Sequence, residues 1–265
     1  MISIIKKQAG FSIISLLIAS SIGIFLIGGA GKVYVDSKST FTARSAITAA
    51  TESTRFAIQD LRRTLVMAGR SIGENDDGPF AYASADNGFR TFPAVDAADG
   101  IIDVDSNGSS VIAIRYAGGP APCGQAGTLA GTRGATRTVR FYRDDDANLI
   151  CQVVETGFAQ PLVSGIVAMR ALYGVDTNAD DIANQYLTAT QVDAANYWLN
   201  VVAIRIGIIT SSGDGAELPP RYRPAAAEEL DLLGMTFTAP TTSNFYKSAS
   251  TTISLRNVHS SVQRQ

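Results

Sequence analysis

From Phe11 to Gly31 the chain runs for twenty-one residues without a charged side chain. As a helix rising 1.5 Å per residue, that stretch spans about 31 Å, close to a hydrocarbon core of about 30 Å. Beyond Lys32 the apolar positions narrow to a stripe. Ile47, Ala50, Thr54, Ala57/Ile58, Leu61, Leu65 and Ala68 recur at spacings of three and four, as on one face of an amphipathic helix. Arg44, Glu52, Arg55, Gln59 and Arg62 fall mostly off it. No proline occurs before Pro79, and Gly69 and Gly73 supply a stop. The pattern predicts one helix from Phe11 to Ala68, about 87 Å long if continuous. Gly23, Gly28, Gly29 and Gly31 either unwind it locally where the apolar part ends or let helices pack closely there.

The remainder alternates like strands. Ser110–Ala117, Arg137–Arg143, Leu149–Glu155, Ile166–Val175, Trp198–Thr210 and Ser250–Leu255 are the candidates. Asp144–Asn148 makes a five-residue hairpin turn between the second and third. Residues 211–230, rich in Gly, Pro and charge, read as a surface loop. The expected fold class is α+β: a long N-terminal helix packed on an antiparallel β-sheet head. The expected segments are 1–10, 11–31 in the membrane, an amphipathic 32–70, and a β-rich head over 71–265.

The basic residues Lys6 and Lys7 precede the apolar run, so the positive-inside rule keeps that end in the cytoplasm and sends the head outward. A secretory signal places its cleavage site after the apolar stretch. Here Gly10 stands immediately before it, so a cut at that point leaves the apolar helix on the mature chain. The run Lys6-Lys7-Gln8-Ala9-Gly10-Phe11-Ser12-Ile13-Ile14-Ser15-Leu16 resembles the type IV prepilin family, whose motif is a basic leader, Gly, then Phe-Thr-Leu-Ile-Glu-Leu. The resemblance implies that prepilin peptidase cuts between Gly10 and Phe11 and methylates the new amine of Phe11. It also implies an inner-membrane subunit with its head in the periplasm, held in lipid until an inner-membrane assembly platform passes it into a filament of other pilins. Ser15 departs from the family, which has Glu there to pair with the terminal ammonium of a neighbour. An unpaired charge at membrane depth costs at least ~2.5–3.5 kcal/mol. A first subunit has no earlier ammonium to neutralise, so Ser15 points to a tip or initiating position.

The head resembles the PilW-type minor pilins in four stretches: Ser53–Arg63 with Met67-Ala68-Gly69; Ile112–Tyr116; Tyr173–Asp180 followed by Val201–Arg205; and Tyr246-Lys247 with Ser250–Asn257. This implies a minor pilin that primes assembly, with roles in twitching, adhesion or DNA uptake. A minor pseudopilin of a type II secretion system shares the leader, helix and sheet. A membrane-anchored adhesin that never polymerises is the reading from a second class.

Composition narrows the chemistry. Of 265 residues only 17% are charged, and the net charge of −2 offers no broad nucleic-acid footprint. Without Lys6 and Lys7, 20 basic side chains face 24 acidic ones. Cys123, Cys151 and His259 are too few for a structural zinc site. In an exported head the two cysteines are expected to form a disulfide. No Gly-x-Ser-x-Gly elbow, Walker loop or His-Glu-x-x-His occurs, so no enzyme is expected. Asp103-x-Asp105-x-Asn107-Gly108 and Asp176-x-Asn178-x-Asp180 carry the opening spacing of a calcium loop. Ile114 and Leu187 replace the closing Glu, so neither is an EF-hand. Asp176, Asn178 and Asp180 are the candidate ligands of a looser calcium site; an acidic, self-capped turn is the alternative. No other cofactor is expected. Arg133, Arg137, Arg140 and Arg143 fit a solvated strand face, and nucleic acid is not an expected partner.

Overall fold

The computed structural model describes residues 12–70, 95–96, 100–101, 109–129, 136–213 and 215–257. The leader with Gly10 and Phe11, the Asp103–Asn107 loop, Arg133 and His259 lie outside the described residues.

Helix α1 (Ile13–Leu65) is 53 residues long. Ser12 caps it, its Oγ accepting from the Ile14 amide at 3.3 Å. Arg62 and Arg63 sit in the last turn, where the helix dipole favours cations. The chain then turns at Gly69, in the left-handed region at φ +77°, and the Gly69 amide donates to the Arg115 carbonyl at 2.9 Å. Gly23, Gly28, Gly29 and Gly31 do not interrupt the helix. Each glycine costs roughly 1 kcal/mol against Ala, but propagation adds a backbone bond per residue and no proline removes one.

All six expected strands are present, but they form two sheets where the pattern read as one. The first has the order β3 (Ile112–Tyr116), β6 (Arg137–Arg143), β7 (Asn148–Val153), β8 (Ala159–Ser164). The second has the order β10 (Gln185–Leu187), β9 (Ile166–Val175), β11 (Val201–Ser211), β14 (Tyr246–Ser254). Every pairing is antiparallel. Among the described residues the head also has three two-stranded ribbons: β1 (Val95–Asp96) with β2 (Gly100–Ile101), β4 (Gly119–Pro120) with β5 (Thr128–Leu129), and β12 (Glu229–Asp231) with β13 (Thr236–Thr238). A short helix α2 (Ala189–Ala194) carries a capping box from Thr188 and Gln191.

Gly165 alone lies between β8 and β9, where the chain leaves one sheet for the other. Its φ is +82°, and a Cβ there would stand 2.8 Å from the Ser211 carbonyl oxygen. The Ser211 amide donates to the Gly165 carbonyl at 2.7 Å, so the backbones cannot separate cheaply. Gly165→Ala is therefore expected to cost more than the roughly 1–2 kcal/mol of a left-handed L-residue. The urea midpoint of the full-length protein in detergent checks this.

One core unites both sheets with the end of α1. Ala57, Leu61 and Leu65 meet Ile112, Ile114, Phe141 and Leu149 of the first sheet and Met169, Tyr173, Ile204 and Ile206 of the second. The buried helix stripe is Ala43, Ala46, Ala50, Thr54, Ala57, Leu61 and Leu65. Ile47, expected on it, is 44% exposed, and the fully buried Ala46 and Ala50 mark the close approach of helix and head instead. Within that approach the hydroxyls of Thr54 and Thr210 bond each other at 2.6 Å, and both reach the Ala50 carbonyl.

The expected surface loop 211–230 is narrower in the structure, since Ser211 ends β11 and Glu229 opens β12, and its residues 215–228 are not free of the helix. Leu218 packs with Ala43, Ala46 and Phe245. Arg221 ion-pairs with Asp36, and the Tyr222 hydroxyl meets Thr40 Oγ1 at 3.0 Å. At the other end Asn257 donates to the carbonyls of Val66 and Ala68. The head thus grips the chain from Asp36 through the end of α1 to Ala68 and leaves the helix below it bare.

Candidate functional site

That bare segment is the main candidate for function. Ile13, Ile14, Leu16, Leu17, Ile24, Phe25, Leu26 and Ile27 are all exposed, Phe25 by 80%. The helix is long and apolar enough to cross a membrane by length and composition. Ser15 lies in its first turn, exposed among these side chains. The apolar surface continues upward on the side facing away from the head, where Tyr34, Phe41 and Phe56 are each more than half exposed. A rod of this kind buries its surface either in lipid or against other helices.

The expected cysteine pair is a disulfide. Cys123 and Cys151 are bonded, with Cα atoms 5.4 Å apart. The bond ties the loop between β4 and β5 to the buried strand β7. Beside it opens a cleft of about 420 Å³ bounded by Asp60, Arg63, Met67, Tyr116, Cys123 and Gln125. Burial pushes the Tyr116 hydroxyl up to about 12, against the opposing pull of the Arg63 guanidinium. The folded state holds this proton more tightly than the unfolded chain does. The contribution is therefore intact below the ordinary tyrosine value of 10.0 and lost as pH rises through about 12. Between those limits the head is expected to lose about 2–3 kcal/mol through Tyr116. Tyr116→Phe should flatten that part of a pH series of unfolding midpoints.

Asp176, Asn178 and Asp180 do come together, in the turn after β9. Asp176 is fully buried. Its Oδ1 accepts from the amides of Asn178 and Ala179 at 3.0 and 2.8 Å, and its Oδ2 accepts from Asp181 at 2.9 Å. Asn178 Nδ2 donates to Asp180 Oδ2 at 3.0 Å, and Asp180 Oδ1 accepts from the Ile182 amide. Thr177 donates twice to Asn184 Oδ1. Among the described residues no group of three or more His, Cys, Asp or Glu is placed to hold a metal ion. Of the arginines on β6, Arg140 is held by Gln152 and Arg143 donates to the Ile166 carbonyl.

The helix grip by Arg221 and Tyr222 escaped the sequence reading, because neither residue lies on a periodic stripe. The paired prolines Pro219 and Pro220 were the only local signal of a fixed turn there.

A family model described as Type IV Pilus-assembly protein W matches residues 140–257. The match lies wholly within the head. It begins within β6 and runs past β14, so it takes in the whole second sheet and the turn at Asp176. The PilW description is of an assembly protein. The apolar helix lies outside the matched residues and is an independent observation. No curated relative matches the chain. Among solved structures, a type IV-like pilin from Thermus thermophilus aligns at 11% identity and a TM-score of 0.43, covering 79% of this chain and 97% of that one.

Proposed function

We propose that this chain is a minor type IV pilin that primes pilus assembly and is incorporated at or near the filament tip. The observation that carries the reading is the bare apolar helix below a head that the PilW model matches. The mature subunit waits in the inner membrane with its head in the periplasm. It enters the filament by exchanging lipid for the helices of other pilins. Ser15 supports an initiating position, because no carboxylate stands there to seek the ammonium of an earlier subunit. Processing at Gly10 and Phe11 by prepilin peptidase belongs to the same reading. The contribution is a fitted surface, not a reaction.

Deleting the gene and counting filaments on the cell surface tests the priming role, and labelling the protein on sheared filaments tests the position. Most filaments should vanish on deletion, and label should collect at one end. Normal filament numbers, or label spread along the shaft, would contradict the proposal.

A further inference from the structure

Among the described residues, three of the four outer strands of the two four-stranded sheets are blunted. The outer edge of β3 receives the turn after α1: Gly69 donates to the Arg115 carbonyl and Ala117 to the Arg70 carbonyl. β8 carries Pro161, which has no amide to offer. β10 is three residues long. The free side of β9 is bonded by Ser109 and Ser110. β14 has none of these protections. It runs for nine residues, pairs among the described residues with β11 alone, and is uncharged from Ser248 to Ser254.

The register says which groups face outward. The Leu255 amide donates to Val202 and the Ser212 amide to Phe245, so the odd-numbered residues of β14 exchange bonds with β11. The amides and carbonyls of Ser248, Ser250, Thr252 and Ser254 therefore point away from the sheet, and all four residues are exposed. Among the described residues nothing pairs with them. Donors and acceptors alternating along an extended backbone match another extended backbone.

Direction narrows the partner. Lys247 lies beside Thr51, and Asn257 beside Val66 and Ala68, so β14 runs the same way as α1. Antiparallel pairing of β14 with β14 of a second copy would point the two α1 helices in opposite directions. Two copies rooted in one membrane cannot do this.

We propose that β14 is a strand-addition site for a different chain of the assembly. The partner supplies an uncharged extended segment of about seven residues. It runs antiparallel to β14, toward the membrane. Small or apolar side chains face the half-buried Ala249 and Thr251, and polar ones lie beside the exposed serines. This rests on the pilus reading, which roots all partners in one membrane.

The test compares amide hydrogen exchange, residue by residue, in the full-length monomer in detergent and in the protein recovered within assembled complexes. In the monomer, Ser248, Ser250, Thr252 and Ser254 should exchange freely while Ala249, Thr251 and Ile253 are protected. In complexes the first four should slow by about 100-fold or more. Ser250→Pro removes only an outward amide. It should leave the monomer's melting temperature nearly unchanged and lower incorporation into complexes about tenfold or more. Fast exchange of the four amides in complexes, or normal incorporation of Ser250→Pro, overturns the inference and leaves the pilus reading standing. Protection already present in the monomer overturns it in favour of a segment of this same chain. Co-purification of two differently tagged copies that depends on Ser250 overturns it in favour of a second copy. Absence of the protein from all complexes overturns both readings.

Discussion

Asp176→Asn is expected to lower the stability of the head by about 2–4 kcal/mol, although it changes one atom of one side chain. The carboxylate is buried and accepts three backbone amides. An amide group keeps the oxygen that serves Asn178 and Ala179 but sets an NH₂ against the Asp181 amide, donor facing donor. Asp176 also ties the turn to the sheet through its backbone, since its amide donates to the Asn200 carbonyl and its carbonyl accepts from Asn200 Nδ2. The exposed partners behave differently. Asn178→Ala removes one surface bond and Asp180→Ala two, and each should stay within about 0.5–1 kcal/mol. This ordering separates a carboxylate-centred turn from a calcium loop. In a calcium loop all three replacements are costly, and EDTA lowers the melting temperature of the unaltered protein.

Replacing Cys123 and Cys151 together by Ser should cost about 3–4 kcal/mol, the chain entropy regained by a loop of this length. The bridge spans 28 positions in sequence and anchors to a strand inside the core. The loss falls on the first sheet, because the loop between β4 and β5 is held to β7 by that bond. Denaturant unfolding of the double variant, beside the oxidised and reduced forms of the parent, gives the figure. Equal midpoints in all three would contradict the structural role given to the bond.

The sequence announced the elements whose periodicity is long. Ile166–Val175 and Arg137–Arg143 have the boundaries expected from alternation. α1 was legible because its stripe persists for about six turns. The short pieces were not: β10, β12 and β13 have three residues each, too few to display a period, and β8, with Pro161 inside it and most of its residues exposed, shows no alternation. The split into two sheets was hidden as well. It depends on one residue, Gly165, whose need for a left-handed backbone is apparent only once Ser211 is seen against it. The same holds for the site. The exposed span and the cysteine pair were visible as patterns. The spacing of Asp176, Asn178 and Asp180 was visible too, but whether a carboxylate faces an ion or its own backbone is decided by three dimensions. The open edge of β14 required the register with β11, which alternation alone does not supply.

The central claim is that a helix without partners in the monomer remains attached to the mature head. Mass spectrometry of the intact protein and of its N-terminal peptide, taken from membranes and from sheared filaments, tests this most directly. The account predicts a mature chain that begins at N-methylated Phe11 in both fractions. A mature chain that begins downstream of Gly31 and is recovered free of membrane would contradict it.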